Sequence, residues 1–592
     1  MVNYESVYAG ATYPLDPNYN FIGYRVPVGE LGGTTSIQTA NQLKEVNNLL
    51  NQGMKTTELS IINPEVFEMM PRDHLKEIER LNKLVGAEST MHAPTIDPSG
   101  FTQQGWSEEN RKATERQFEE FVKRSHELNP EGNIPVTIHA SLIPGSEMIP
   151  ESHKLVREEE KGKGPVLGKM IAVEQDTGQF IPLEREKLYG PRFPEGEIHT
   201  PEERLRSANA TKFINSITNL AFYKKEADEI LIPAVAEAAE VIGKERITEE
   251  DLKRPENREA LMKMQRADLF LDNIETSFRT IYEQAAKYGN SETKEVLKKI
   301  SDEWIEKTNL MKQKRQENPF EIPIMRSNLI DKSLDMIRQL EHSPPQIYKP
   351  VEEFAKEKAS ETLSNVALDS YKKFGNKSPI ISIENPPYGS AMSSGQDLKN
   401  LIEETRNKFV NKLVSQGKSE GEARDAAEKL IGATWDTSHI NMIRKQGFDP
   451  ERIIEETKKI APFVKHVHFN DNFGSTHTDL PPGMGNIPMS EVMKELEKAK
   501  FKGKKIFEGG NFFQNFQTSP FPYTLETAGS PVYTGGPYWN QLGIPGAYYM
   551  GQGQINPQMH HSIYGAGFTS LPIELGGAMP GPDKGRFAQS PG

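Results

Sequence analysis

VKHVHFNDNFGSTHTDLPPGMGNIP, residues 464–488, is the stretch on which the reading of this chain turns. A short apolar run carries His466 and His468, and a loop ending in Gly-Met-Gly-Asn then carries His477 and Asp479. The chain has 13 histidines in 592 residues, and three of them fall within these twelve positions. In a strand, His466 and His468 share one face. His468 lies nearer the C-terminal end and is the better metal ligand; His466, one layer deeper, reads as a hydrogen-bonded core or supporting residue. His477 and Asp479 are two apart in a loop, where both can approach one ion. The PPGMGN run supplies the sharp turn that brings this loop over a strand end.

Seven further apolar runs resemble this one: NFIGYRVPV (20–28), TTELSII (56–62), GAESTMHAP (86–94), IPVTIHAS (134–141), SPIISIENPP (378–387), GATWDTSHI (432–440) and KKIFEGGN (504–511). Charged segments with helical spacing, such as RDHLKEIERLNKLV, separate most of them. Strands alternating with amphipathic helices predict a parallel sheet, and eight units predict a (β/α)8 TIM barrel. His92, His139, Glu384, Asp436, His468 and Glu508 each sit at or near the C-terminal end of a run. Those ends meet on one face of a TIM barrel, where active sites are built.

Each motif also has a structural reading. A lone histidine such as His92 is often a hydrogen-bonded structural residue. Glu384 is sharper, because an ionised carboxylate ending an apolar strand needs a partner or a metal. Asp436 and His439 are three apart, so a helical turn brings them together, although Asp436 can equally cap that helix. With no cysteine, a metal site must use nitrogen and oxygen, which suits Zn²⁺, Mn²⁺ or Fe²⁺. His92, His139, Glu384, Asp436, His439, His468, His477, Asp479 and Glu508 exceed the four ligands of one zinc and predict two or three ions.

The barrel reading divides the chain into 1–142 (strands one to four), a mostly helical insertion over 143–350, 351–513 (strands five to eight) and a Gly/Pro/Tyr-rich tail over 514–592. Within the insertion, GKMIAVEQDTGQFIPLERE reads as a hairpin turning near Asp176, and VEEFAKEKASETLSNVALDSYKKFG as the helix leading back to the barrel. The tail, low in charge and without periodicity, reads as disordered or as an interaction arm. Both it and the insertion are candidate surfaces for a protein partner. Mean hydropathy of -0.64 and the absence of a long apolar run exclude a membrane-spanning reading. The opening MVNYESVYAGATYPLD lacks a secretory pattern, so the expected location is cytoplasmic. A net charge of -13 argues against a broadly basic nucleic-acid surface and leaves room for a local groove.

Taken in order, MHAP, IHAS, ISIEN, DTSH, HVHFND and the glutamate of IFEGGN resemble the metal motifs of the endonuclease IV family, the family 2 apurinic/apyrimidinic endonucleases, within the xylose-isomerase-like TIM barrels. The resemblance covers roughly 20–142 and 350–512. It implies a zinc-dependent phosphodiester hydrolase acting on abasic-site DNA. It further implies that His92 and His139 hold one ion, that Glu384 bridges to a second held by Asp436, His468 and Glu508, and that His439 holds a third with the loop pair. Glu384 and Glu508 are the residues on which catalysis would depend most. The chain departs from the family in reading His477-Thr-Asp479 where the family has Asp-x-His, and in placing Thr95 and Ile96 after HAP where the family has bulky residues.

The competing reading is a single-metal sugar isomerase or epimerase of the same superfamily. There Glu384, Asp436, His468 and Glu508 hold one ion, often Mn²⁺, and the two glutamates move a proton on a small sugar. A third reading is a barrel turned to assembly or binding, with structural metal.

Overall fold

The computed structural model describes residues 22–27, 29–52, 54–103, 105–191, 193–242, 254–314, 321–509, 512 and 520–529. Eight parallel strands pair in chain order and close on themselves: β1 (Leu31–Thr34), β2 (Thr56–Ser60), β3 (Glu88–His92), β4 (Pro135–His139), β5 (Ile380–Glu384), β6 (Ile431–Asp436), β7 (Val464–His468) and β8 (Lys505–Phe507). β2 and β6 are buried along their whole length, as parallel strands covered on both faces must be. A helix follows each strand: α1 (Gln42–Asn51), α2 (Arg72–Val85), α3 (Glu108–Ser125), α4 (Val351–Phe374), α5 (Gly395–Ser415), α6 (Glu451–Ile460), α7 (Met489–Lys498) and α8 (Phe521–Thr527). From α1 to α7 each packs against the next. Local chemistry marks their ends. Ser107 and Ser394 cap α3 and α5 by accepting from Asn110 N and Asp397 N, and Gly86 stops α2 in the left-handed region at φ 65°. This is the (β/α)8 fold.

The first strand is not where hydrophobicity places it. Residues 22–27, within the expected run 20–28, form no strand; Ile22 N and Val26 N donate to the carbonyls of Thr527 and Ala528 at 3.1 and 3.0 Å. The strand is instead LGGT, which carries too little apolar bulk to register as a run. Its glycines answer to packing. A Cβ on Gly32 would collide with the Thr56 carbonyl and Ile506, and one on Gly33 with the ring of Phe521.

The tail begins later than composition suggests. α8 belongs to the barrel unit, with Leu525 fully buried and the Phe521 ring edge-on to Phe507 at 6.1 Å. Residues 514–519 and 530–592 of the expected tail lie outside the described residues.

Two compact units divide the chain, one within 1–171 and 351–592, the other 172–350. Residues 143–171, read from sequence as insertion, therefore belong with the barrel. Ser146 N and Oγ donate to Glu352 at the start of α4, and Glu147 accepts from Gln446 at 2.7 Å. Among its described residues the second unit holds four α-helices, Pro201–Ile242, Arg258–Tyr288, Ser291–Lys314 and Glu321–Arg338, around a core including Phe213, Leu271, Phe278 and Ile330. Its hairpin turns where Gly178 N donates to Glu174 O at 2.8 Å, near Asp176 as expected. No helix among the described residues is long and apolar enough to cross a membrane.

Gly32→Ala should destabilise the barrel by about 1–3 kcal/mol, because the Thr56 backbone cannot move aside without parting β1 from β2. Urea unfolding followed by circular dichroism checks this; an unchanged midpoint would mean that the β1–β2 approach is loose.

Candidate metal centre

Pairing register sets two pairs of polar strand ends directly opposite one another and staggers the rest by two residues. Glu384 is opposite His139 on one side and Thr434 on the other, while Asp436 is opposite His468. His92, His139, Glu384, Asp436 and His468 are each the last residue of their strand, and Glu508 follows the last residue of β8.

Glu384 is the hub. Its Oε2 stands 3.1 Å from His92 Nε2 and 2.8 Å from His139 Nε2, and its Oε1 stands 2.6 Å from His468 Nδ1. His468 Nδ1 also lies 3.3 Å from Glu508 Oε2 and 3.7 Å from Asp436 Oδ2. Glu384, Asp436, His468 and Glu508 each bring one ligand atom within 4.8 Å of the others, as do His92, Glu384 and His468.

Asp436 serves both readings of its motif. Oδ1 accepts from His439 N and from Ser438 Oγ, both at 2.8 Å, and so caps the short helix Thr437–Asn441. Oδ2 is left facing the cluster. The Asn470 amide donates to this oxygen at 3.1 Å and to Glu508 Oε2 at 3.3 Å, tying two carboxylates together. That helical turn points His439 at the loop, where its Nε2 meets His477 Nε2 at 2.8 Å. Asp479 Oδ1 is 3.7 Å from His477 Nε2 and 3.4 Å from Ser438 Oγ. His439 also lies near the hub, its Nδ1 4.0 Å from Glu384 Oε1.

The loop hangs on Asp471, a residue that sequence reading passed over. Its backbone pairs with Leu480, and its carboxylate accepts from Gly483 N at 2.8 Å and Ile487 N at 3.1 Å. Gly485 is required here, since a Cβ would strike Asp471 Oδ1 and the Asn472 backbone. Glu58, on β2, was passed over as well. A carboxylate in the middle of TTELS is the signal that could have found it. Its oxygens face His468 Nε2 at 3.0 Å and His466 Nε2 at 2.9 Å, one layer below the strand ends.

Hydrogen bonding fixes which nitrogen His92, His439 and His468 offer. His92 Nδ1 donates to Ala93 O at 2.9 Å, His439 Nδ1 to Asn385 O at 2.7 Å, and His468 Nε2 to Glu58. A neutral ring so held turns a lone pair onto a carboxylate or another imidazole, which is repulsive unless a cation lies between them or the ring takes a second proton. His468 Nδ1 and Glu384 Oε1 have no hydrogen-bond partner although both are buried and near each other. Donors of this kind fit divalent metal ions that take nitrogen and oxygen.

Charge follows the same logic. Burial would raise Glu384, but His468 and His139 hold it well below the carboxylate range. Burial opposes His92, yet Glu384 lifts it to about 9, and Glu508 and Glu384 lift His468 well above its usual value. His439 is raised against burial by Asp436 and Glu384, while burial and His439 push His477 down. Asp436, drawn down by His439 and His468 against burial, ionises at about 2. Burial with Glu508 and Asp436 pushes Asp479 up to about 8.

A family model described as xylose isomerase-like TIM barrel matches residues 394–514. That segment holds Asp436, His439, His468, His477, Asp479 and Glu508, and it begins after His92, His139 and Glu384. The match covers about a fifth of the chain and is a likeness to these barrels over that segment. Among solved structures, the chain is similar to a D-tagatose 3-epimerase-like protein at 11% identity and TM-score 0.35, over 81% of this chain and 90% of that one. It is also similar to the D-psicose 3-epimerase of Clostridium cellulolyticum H10, solved with D-tagatose, at 8% identity and TM-score 0.36, over 84% and 96% of the two chains. No curated protein matches the chain in sequence.

The metal-free protein should lose stability as pH rises from 6.5 to 9. His92 holds its proton to about 9 when folded and Asp479 to about 8, against usual values of 6.5 and 3.8. The folded state then binds more protons than the unfolded one, and its advantage is lost as these groups give up their protons. Zinc competes with the same protons, so the rise in melting temperature it produces should grow over that interval. Calorimetry with and without zinc checks both signs; a metal-free midpoint that climbs from pH 6.5 to 9 contradicts the assignment.

Proposed function

We propose that this protein is a multinuclear, metal-dependent phosphodiester hydrolase of the endonuclease IV type, with abasic-site DNA as the substrate class to test first. The observation that carries the reading is the division of Glu384. One oxygen faces His92 and His139, and the other faces His468 beside Asp436 and Glu508. A carboxylate with nitrogen donors on both oxygens is arranged to bridge two ions. His439, His477 and Asp479 form a further pole across the short helix from Asp436. Zinc or another divalent ion bound in this centre supplies an activated water and neutralises charge on the phosphoryl oxygens.

The chain's own groups do the positioning. Glu384 and Asp436 stay ionised at every pH of interest, so the centre keeps its negative charge for cations. Asn470 fixes Asp436 and Glu508 at one separation, and Asp471 holds His477 and Asp479 over the barrel mouth. Within the reversed loop pair it is His477, not Asp479, that reaches His439.

A second reading has its own observation. Glu384, Asp436, His468 and Glu508 are the one four-member ligand group among the described residues, and they would suffice for a single-ion sugar isomerase or epimerase. The two readings part at His92 and His139. His92→Ala or His139→Ala should cost a hydrolase more than the ~100-fold seen for outer partners of metal ligands, while leaving an isomerase largely active. Glu384→Gln or Glu508→Gln should abolish either activity. Metal content by elemental mass spectrometry, followed by assays on abasic-site duplexes and on ketohexoses, decides between them. Two or three ions per chain with strand cleavage supports the hydrolase; one ion with sugar turnover replaces it.

A further inference from the structure

The layer beneath the metal centre is polar, and nothing in the proposed chemistry uses it. Glu58, Thr90 and His466 lie there, two residues below the ends of β2, β3 and β7. Glu58 and His466 are fully buried. Glu58 Oε1 takes His468 Nε2 at 3.0 Å, while Oε2 takes His466 Nε2 at 2.9 Å and Thr90 Oγ1 at 2.7 Å.

With His468 Nε2 on one oxygen, and His466 Nε2 and the Thr90 hydroxyl on the other, Glu58 is placed as the acceptor of all three, so both histidines carry their proton on Nε2. For His468 that leaves Nδ1 as the free lone pair, and Nδ1 is the nitrogen turned to Glu384, Asp436 and Glu508. Most neutral imidazoles are free to choose either tautomer; this one is not. We propose that Glu58 is a positioning residue that locks His468 as an Nδ1 metal ligand, with His466 and Thr90 holding Glu58 in register.

The same three groups also come close enough to suggest an ion of their own, since Glu58, His466 and His468 bring ligand atoms within 4.8 Å of one another. His468 could join that set only through Nε2. It would then bind ions through both nitrogens and lose both protons, which a carboxylate that accepts from Nε2–H makes unnecessary. Carboxylate–histidine–metal relays are the ordinary arrangement.

The proposal rests on His468 holding a divalent ion, which both enzyme readings share. Zinc affinity is measured by chelator competition for the wild-type chain and for Glu58→Gln, beside the melting temperature of each without metal. A glutamine amide presents one acceptor and one donor, so it cannot hold both Nε2 protons. Zinc affinity should fall about 10- to 100-fold, beyond any change in metal-free melting temperature. Affinity within twofold of wild type, with only the melting temperature lowered, makes Glu58 purely structural and overturns the proposal. If the variant does not fold, nitrogen-15 spectra of the zinc-loaded wild type decide. A retained proton on His468 Nε2 with zinc on Nδ1 upholds it, and zinc on Nε2 overturns it. Wild-type protein that binds no zinc fails the metal-centre reading itself, and the proposal with it.

Discussion

A single buried charge organises the barrel mouth. Glu384 ends an apolar strand with no solvent around it, and an ionised carboxylate in that position is too costly to leave unpaired. Its neighbours answer that cost. His92, His139 and His468 converge from three different strands, and each brings a nitrogen to one of the two oxygens. Because each is the last residue of its strand in a closed parallel barrel, they meet at one mouth. The protein's most expensive residue is also the one on which the donors meet.

The centre is built in depth. At the strand ends are the groups that could hold an ion. Around them, carbonyls of Ala93 and Asn385 and the carboxylate of Glu58 occupy the other nitrogen of His92, His439 and His468. Backbone and side chain thus settle the tautomers before any ion arrives, which lowers the cost of binding one. Asp436 divides its two oxygens between a helix cap and the cluster, so a local folding signal and a site residue are the same side chain. Asp471 extends this order into the loop after β7, where its carboxylate takes the N–H groups of Gly483 and Ile487 and helps hold the turn that presents His477 and Asp479.

Much of this was legible in the one-dimensional pattern. Alternation of apolar runs with amphipathic segments implied eight βα units, and the polar residue closing each run implied a shared face. His92, His139, Glu384, Asp436, His468 and Glu508 stand out because apolar strands rarely end in such groups by chance. Other features left little trace. LGGT escaped notice because a strand made of glycine carries no hydrophobic signal, and its need for glycine comes from Thr56, Ile506 and Phe521, all remote in sequence. α8 escaped because its few apolar residues sit within a stretch of otherwise uninformative composition.

What the sequence determined by itself was therefore the period of the elements and the residue types at their ends, both of which depend on near neighbours along the chain. Tertiary structure alone decided which oxygen of Glu384 meets which histidine, which nitrogen each histidine offers, and that Glu58 lies beneath His468 across 410 positions of chain. These are matters of register and hydrogen bonding between strands. A carboxylate in the middle of β2 reads as an oddity in sequence. It acquires a partner only when the barrel closes and places β7 within its reach.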